Sequence, residues 1–311
     1  MRKKIVLLLL TVLVMSGALS SCGYAEVLDG DYAGLLSQKE VRFSSNVVVP
    51  TYSSSLRIVG HKWESGDAIG VYMLDKNSYA VVAGNNNVMY STEYGGSTGN
   101  FIAHNDKVFF PANGREVRFM LYHPYSELMS GSIYKVDVSN QTRQSEIDLL
   151  YSFNASATYD SNTETRRIPI DFERQLAKIY INVKNGEGLQ GYDLMKMKVY
   201  ITGLNTKADF NLLTGKLSSL SKISPITPSV LIAGGGNVYS GEAIVIPSSE
   251  VKNVRIVLDL NNGKGSFSWN INERSFEKGK KYTYNITVTQ SGITVDSKIN
   301  NWHNIEMETE V

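Results

Sequence analysis

Cys22, the one cysteine among 311 residues, occupies the most distinctive chemical setting in the chain. It follows Met1-Arg2-Lys3-Lys4, an apolar run from Ile5 to Met15, and then Leu19-Ser20-Ser21. A positive start, a short hydrophobic stretch and small residues before a cut site form the pattern of a secretory signal peptide. A cysteine in the first mature position predicts lipidation. Its thiol takes a diacylglycerol, the peptide is cut before it, and the new amine is acylated. The apolar stretch is about a dozen residues, short of the ~20 that span a bilayer. Residues 1–21 therefore read as a signal peptide rather than a membrane anchor.

Other reactive side chains do not assemble into a constellation. His61, His104, His123 and His303 show no metal-ligand spacing, and with Cys22 lipidated no thiol remains to join them. They read as scattered surface histidines. Asp171 and Glu173 could be cast as a glycosidase pair, since residues i and i+2 of a strand share a face. Any two polar residues around an apolar Phe172 would look the same. Gly234-Gly235-Gly236 lacks the following helix that would supply an anion site, so it reads as a surface loop. No G-x-S-x-G, Walker A or dinucleotide fingerprint is present. The expectation is a non-enzyme that uses no cofactor and no metal.

Composition narrows the partners. Removing residues 1–21 from the 311 leaves 290, and takes Arg2, Lys3 and Lys4 from the 31 basic side chains, so 28 face 30 acidic ones. This near balance gives no reason to expect nucleic acid. No disulfide is possible, so an ordinary apolar core must hold the fold; the length suffices for one and suggests two domains.

The elements that must carry these residues read as strands. Eighteen tyrosines and 26 glycines, with many Val, Ile and Thr, favour strands and tight turns. Residues 22–39 are small, polar and acidic, a tether between lipid and fold. Gly23, where an inner-membrane retention signal often has Asp, favours delivery to the outer membrane. Order is expected from Glu40. Val41, Phe43, Val47 and Val49 alternate with polar neighbours before Pro50, the period of a half-buried strand. Ala68–Leu74, Val108–Phe110 and Val117–Tyr122 read as further strands, the last stopped by Pro124. Asn154–Arg167 is polar and marks a domain boundary. Beyond it Ala177–Val183 and Tyr282–Val288 alternate, and Val254–Leu260 with Phe267–Ile271 flank an Asn/Gly-rich turn as a hairpin. The prediction is all-β, two sandwiches in tandem at 40–165 and 166–311.

Trp63-Glu64-Ser65-Gly66-Asp67-Ala68-Ile69-Gly70-Val71-Tyr72 resembles the W-x-x-G-D-x-I-G-V-Y stretch of the fimbrillin family, the type V pilins and Mfa-like lipoproteins of the Bacteroidales. Tyr122-His123-Pro124-Tyr125 resembles that family's aromatic-Pro-Tyr strand end. Asp171–Ile179 resembles its F-x-H-x-L-A-K-I strand, with Arg174 in place of the usual histidine. Phe276–Tyr282 is similar to its L-x-x-G-K-x-Y lead into a late strand, and Ile299-Asn300-Asn301-Trp302 to its I-x-x-W ending. The order is kept from Glu40 to Trp302. The residues themselves have a structural reading beside this: Trp63 and Tyr72 as core aromatics, Gly66-Asp67 as a tight turn.

The resemblance implies transthyretin-like sandwiches and assembly by strand exchange. The lipoprotein reaches the outer membrane, an arginine-specific, trypsin-like protease cuts it, the first strand leaves, and another pilin subunit's strand fills the groove. Here the departing strand would be Glu40–Val49, with Val41, Phe43, Val47 and Val49 inward. Cutting after Arg57 would release all of it with the lipid; cutting after Arg42 would leave most of it behind, so Arg57 is favoured. The lesser alternative is that both are plain surface arginines and the protein stays uncut as an anchor. Nine residues follow Trp302, and Ile305–Val311 alternates apolar with acidic, which suits a last strand of the fold at least as well as a free donor. This points to a tip or accessory pilin, cell-surface exposed, with host or bacterial surface ligands as further partners. The rival function is a monomeric lipid-anchored glycan binder built on the same two sandwiches.

Overall fold

The computed structural model describes residues 36–48, 62–159, 167–231, 238–261 and 265–302. Cys22, Val49, Arg57, Gly234–Gly236 and the Ile305–Val311 segment lie outside them.

The first half of the chain carries β1 (Leu36–Glu40), β2 (Phe43–Val48), β3 (Ala68–Asp75), β4 (Val88–Thr92), β5 (Gly99–Ala103), β6 (Phe109–Pro111), β7 (Val117–His123), β8 (Ile133–Asp137), β9 (Leu150–Ala157) and β10 (Ile168–Arg174). Seven of these close into a barrel in the order β10-β2-β5-β4-β3-β7-β9, while β1 and β6 pair beside it. The alternation expected around residues 41–49 is what places β2 there. Order begins earlier than Glu40, because β1 starts at Leu36 within the expected tether.

The second half adds β11 (Ala177–Asn185), β12 (Lys198–Thr202), β13 (Asn205–Asn211), β14 (Lys216–Ile223), β15 (Ser229–Leu231), β16 (Val238–Val245), β17 (Arg255–Asp259), β18 (Ser266–Asn270), β19 (Lys280–Val288) and β20 (Ile293–Asn301). A five-stranded sheet, β15-β16-β11-β19-β20, is accompanied by β12-β17-β18. Inward residues of both share one core: Ile179, Ile181, Tyr284 and Ile286 from the first, Val199, Ile201, Ile256 and Leu258 from the second. Period-two strands with one buried face predict this arrangement, and the chain is all-β as expected.

Two features cross the boundary expected at 165/166. β10 lies after it in sequence yet pairs with β2 and β9 in the barrel. β8 lies before it yet joins β13 and β14 of the second half. The cores follow the same logic. Ile69, Val71 and Met73 of β3 point into the barrel, while Tyr72 and Leu74 point the other way into the core shared with the second half. β7 does likewise, with Phe119 and Leu121 inside and Met120 and Tyr122 outside. Strands buried on both faces read as continuous apolar runs, as Ile69–Leu74 does.

The W-x-x-G-D-x-I-G-V-Y segment has a physical reason at each glycine. Gly66 sits at φ +89°, in a turn closed by the Glu64 amide donating to Asp67 Oδ2 at 2.8 Å. Gly70 lies under the Tyr122 ring, where a Cβ would fall 2.1 Å from a ring carbon.

Candidate functional site

β2 is the strand that closes the barrel. One side runs parallel to β10, with Phe43 opposite Ile168 and Val47 opposite Phe172. The other runs antiparallel to β5 over a shorter seam, Phe43 opposite Phe101 and Ser45 opposite Gly99. Its hydrogen-bond partners are therefore two strands that do not otherwise meet. Take β2 away, and the barrel opens between β5 and β10 into a trough floored by its own interior.

The inward face of this segment is Val41, Phe43, Ser45 and Val47, all at most 1 % exposed. Phe43 meets Tyr90 and Phe119 edge-on, with ring centres 5.3 and 5.1 Å apart. Fully burying such a side chain is worth about 1.5–3 kcal/mol each. The trough left by the strand would thus expose several kilocalories of unsatisfied apolar surface. Tyr90 donates to the Val41 carbonyl at 3.0 Å, and burial pushes its phenol well above the ordinary range, so it stays a neutral donor. The Val41 amide donates to the Val108 carbonyl at 2.8 Å. Arg167 donates from one guanidinium nitrogen towards the carbonyls of Phe43 (3.3 Å) and Phe101 (3.2 Å), spanning the short β2–β5 seam.

Arg42 points outward between β1 and β2 and pairs with Glu40 at 3.1 Å, an exposed contact of little energetic weight. A cut after it would leave all of β2 in its seat. Val41, Phe43 and Val47 lie together in the barrel's core cluster.

At one side of the barrel interior Trp63 packs edge-on against Phe101 (4.9 Å), His123 (5.2 Å) and Phe172 (5.8 Å). His123 is not a surface histidine: it is 3 % exposed and its Nδ1 lies 2.9 Å from the Ala68 carbonyl. A lone histidine in a sequence carries no burial signal, whereas its place at the end of the apolar β7 run does. His104 is exposed, as expected, and His61 and His303 lie outside the described residues. Asp171 and Glu173 face outward, with Glu173 paired to Lys278 at 3.1 Å. Among the described residues no group of three or more His, Cys, Asp or Glu could hold a metal ion, and no helix is long and apolar enough to cross a membrane.

A second cluster ties the barrel to the far end of the fold. Arg174, at the end of β10, is buried and pairs with Asp148 at 3.0 Å. Its guanidinium stands over the Trp302 ring at 4.5 Å, and Lys178 reaches the same ring at 4.8 Å. Lys178 pairs with Glu242 at 2.9 Å, and burial holds its amine below the ordinary lysine range against that partner. Gln141 completes the region, accepting from the Ile244 amide at 2.8 Å and donating to the Val138 carbonyl at 2.7 Å.

Sequence reading missed the opposite wall of the β2 seat. Ile168, Ile170 and Phe172 alternate with Pro169, Asp171 and Glu173, but the polar segment before them suggested a new domain. Arg167 and Tyr90 carried no signal at all, because their roles depend on partners distant in sequence.

A fimbrillin-like family model matches residues 57–302. A protein of Bacteroides uniformis assigned as a fimbrium subunit, Fim1C, is 31% identical over 248 residues, covering 77% of this chain and 78% of that one. A solved structure assigned to cell adhesion, also from B. uniformis, is 28% identical with a TM-score of 0.67, covering 85% and 98% of the two chains. The tip fimbrial protein Mfa3 of Porphyromonas gingivalis, truncated at its C-terminus, shares the fold at a TM-score of 0.51 and 12% identity, covering 85% and 100%.

Proposed function

Because this chain belongs to the fimbrillin-like family of fimbrial and cell-adhesion proteins, we propose that it is a tip or accessory subunit of a surface fimbria whose barrel accepts a strand from another subunit in place of β2. It is exported as a lipoprotein through Cys22 and held at the outer membrane until an arginine-specific protease cuts after Arg57. That cut removes the lipid, β1 and β2 together. On this reading the two tandem domains would be the barrel half and the second half of the fold, with β10 contributed across the boundary.

The observation that carries this reading is the position of β2. It is the one strand of the barrel that lies N-terminal to Arg57, and both its neighbours, β5 and β10, lie C-terminal to it. A single cut in the 49–61 segment would therefore detach β2 from the chain while leaving the other six barrel strands continuous with the second half. The exposed seat then offers main-chain hydrogen bonds on two sides and apolar pockets at alternate positions, the requirements for strand addition.

Limited trypsin digestion of the mature protein, followed by mass spectrometry, tests it. Cleavage after Arg57, loss of the fragment containing Glu40–Val49 and capture of a donor-strand peptide are expected. A protein that is cut after Arg57 yet keeps β2 and captures no peptide would overturn the acceptor role.

The tip assignment has its own test in the tail. A chain lacking Asn304–Val311 that still folds should still take its place at the end of a fimbria. A folded truncation that no longer assembles would make the tail a donor strand and the protein a stalk subunit.

A further inference from the structure

Along the inward face of β2 one residue does not suit its surroundings. Val41, Phe43 and Val47 are apolar, but Ser45 stands between them at 1 % exposure, and its hydroxyl finds no hydrogen-bond partner among the described residues. Burying a hydroxyl without a partner disfavours the folded state. Neither residue opposite it carries a polar side chain. Its opposite residues are Ile170 on β10 and Gly99 on β5. Gly99 is bare because a Cβ there would come 2.5 Å from the Phe101 ring and 2.9 Å from Trp63, so aromatic rings fill the space above it. The seat at this register is aliphatic and aromatic, and the resident strand puts a polar group into it.

We propose that position 45 of the seat determines which strand it prefers, and that β2 is a serviceable but not the best occupant. An extended segment with apolar residues at all four alternate positions, including a small aliphatic residue opposite Gly99 and Ile170, fits the same trough without the unpaired hydroxyl. The partner class is therefore a strand of another subunit carrying that unbroken apolar alternation. This rests on the acceptor reading above and adds to it a direction: exchange of β2 for such a strand runs downhill at one identified register. It also gives Ser45 a purpose that the packing alone does not. A serine here leaves the closed barrel open to improvement by a better strand.

Two measurements separate this inference from the reading it rests on. The first uses the uncut chain, which needs no exchange at all. Ser45→Ala removes only the hydroxyl, and it should raise the melting temperature; a lower melting temperature overturns the proposal whatever the protein's function. The second uses the trypsin-cut chain and two labelled peptides spanning Glu40–Val49, one of natural sequence and one with Ser45→Ala, compared by fluorescence anisotropy. The substituted peptide should bind about tenfold more tightly, the order expected for relieving one unpaired buried hydroxyl. Equal or weaker binding overturns the preference while leaving strand capture standing. If neither peptide binds, the acceptor reading fails and the preference fails with it.

Discussion

The guanidinium of Arg174 lies 4.5 Å from the centre of the Trp302 ring and donates to the carbonyl of the same residue at 3.3 Å. One side chain thus joins the last strand of the barrel to the last described residue of the second half. Both ends are buried, and Asp148 neutralises the charge from the other side.

Removing one member of this group should be costly. Arg174→Ala leaves Asp148 buried without its partner and should lower stability by about 3–5 kcal/mol. The double variant Arg174→Met, Asp148→Leu should recover most of that loss, since apolar replacement removes the desolvation cost along with the pair. Urea denaturation measures both, and a single variant as stable as the parent would show that the pair contributes nothing.

The apposition of Gly70 and Tyr122 makes a second test. A methyl at Gly70 would overlap a ring that is itself wholly buried and hydrogen-bonded through its hydroxyl to Asn87 at 2.6 Å. Gly70→Ala should destabilise by about 1–3 kcal/mol through overpacking. Adding Tyr122→Leu should make the glycine replacement much cheaper, which thermal melts of the two single variants and the double variant would read.

Phe43 anchors β2 between Tyr90 and Phe119. Phe43→Ala should cost the uncut protein about 3–5 kcal/mol. In protein already cut and stripped of β2 the same substitution is absent from the folded chain, so the two preparations of the variant and parent should then melt alike. A persistent difference would place Phe43 outside the released fragment.

Alkaline pH should unfold the protein through its tyrosines. Burial pushes Tyr134 and Tyr239 up to about 12, and raises Tyr90, Tyr122 and Tyr284 further. A phenol whose folded value lies above its unfolded value contributes stability that is complete below the unfolded value and lost as pH rises towards the folded one. Between pH 10 and 12 each such tyrosine should withdraw about 1.4 kcal/mol per pH unit. Absorbance at 295 nm should show a late group of phenolates appearing together with loss of structure. Early, independent ionisation of all eighteen tyrosines would contradict it.

What the sequence disclosed, and what it hid, divides along the range of the interactions. β11, β17, β18 and β19 were legible because each carries its own period in five to nine residues, and β3 and β7, buried on both faces, because each is an unbroken apolar run. The partnership of β8 with β13 was not, since nothing in Ile133–Asp137 names a partner some seventy residues away. The break placed between Asn154 and Arg167 overlaps β9, to which Asn154–Ala157 belong, and β10 beyond it pairs with β2 in the barrel. For the candidate site, the inward set Val41, Phe43 and Val47 followed from alternation alone. Its polar interruption at Ser45 looked like an ordinary variation, because the absence of a hydrogen-bond partner becomes visible only when Gly99 and Ile170 stand on either side.

The parallel alignment of β2 with β10 has a mechanical meaning. β10 runs through Arg174, Gln175 and Leu176 straight into β11, the middle strand of the second half's largest sheet. A strand seated beside β10 and pulled along its own length would load that seam lengthwise, so its hydrogen bonds would share the tension and yield together rather than peel one at a time. The pull would pass through one continuous stretch of backbone into the centre of the neighbouring sheet, bracketed at the join by the Arg174–Trp302 contact. A fibre built on that seam would resist flow along its axis most strongly where its subunits are otherwise held by no covalent bond.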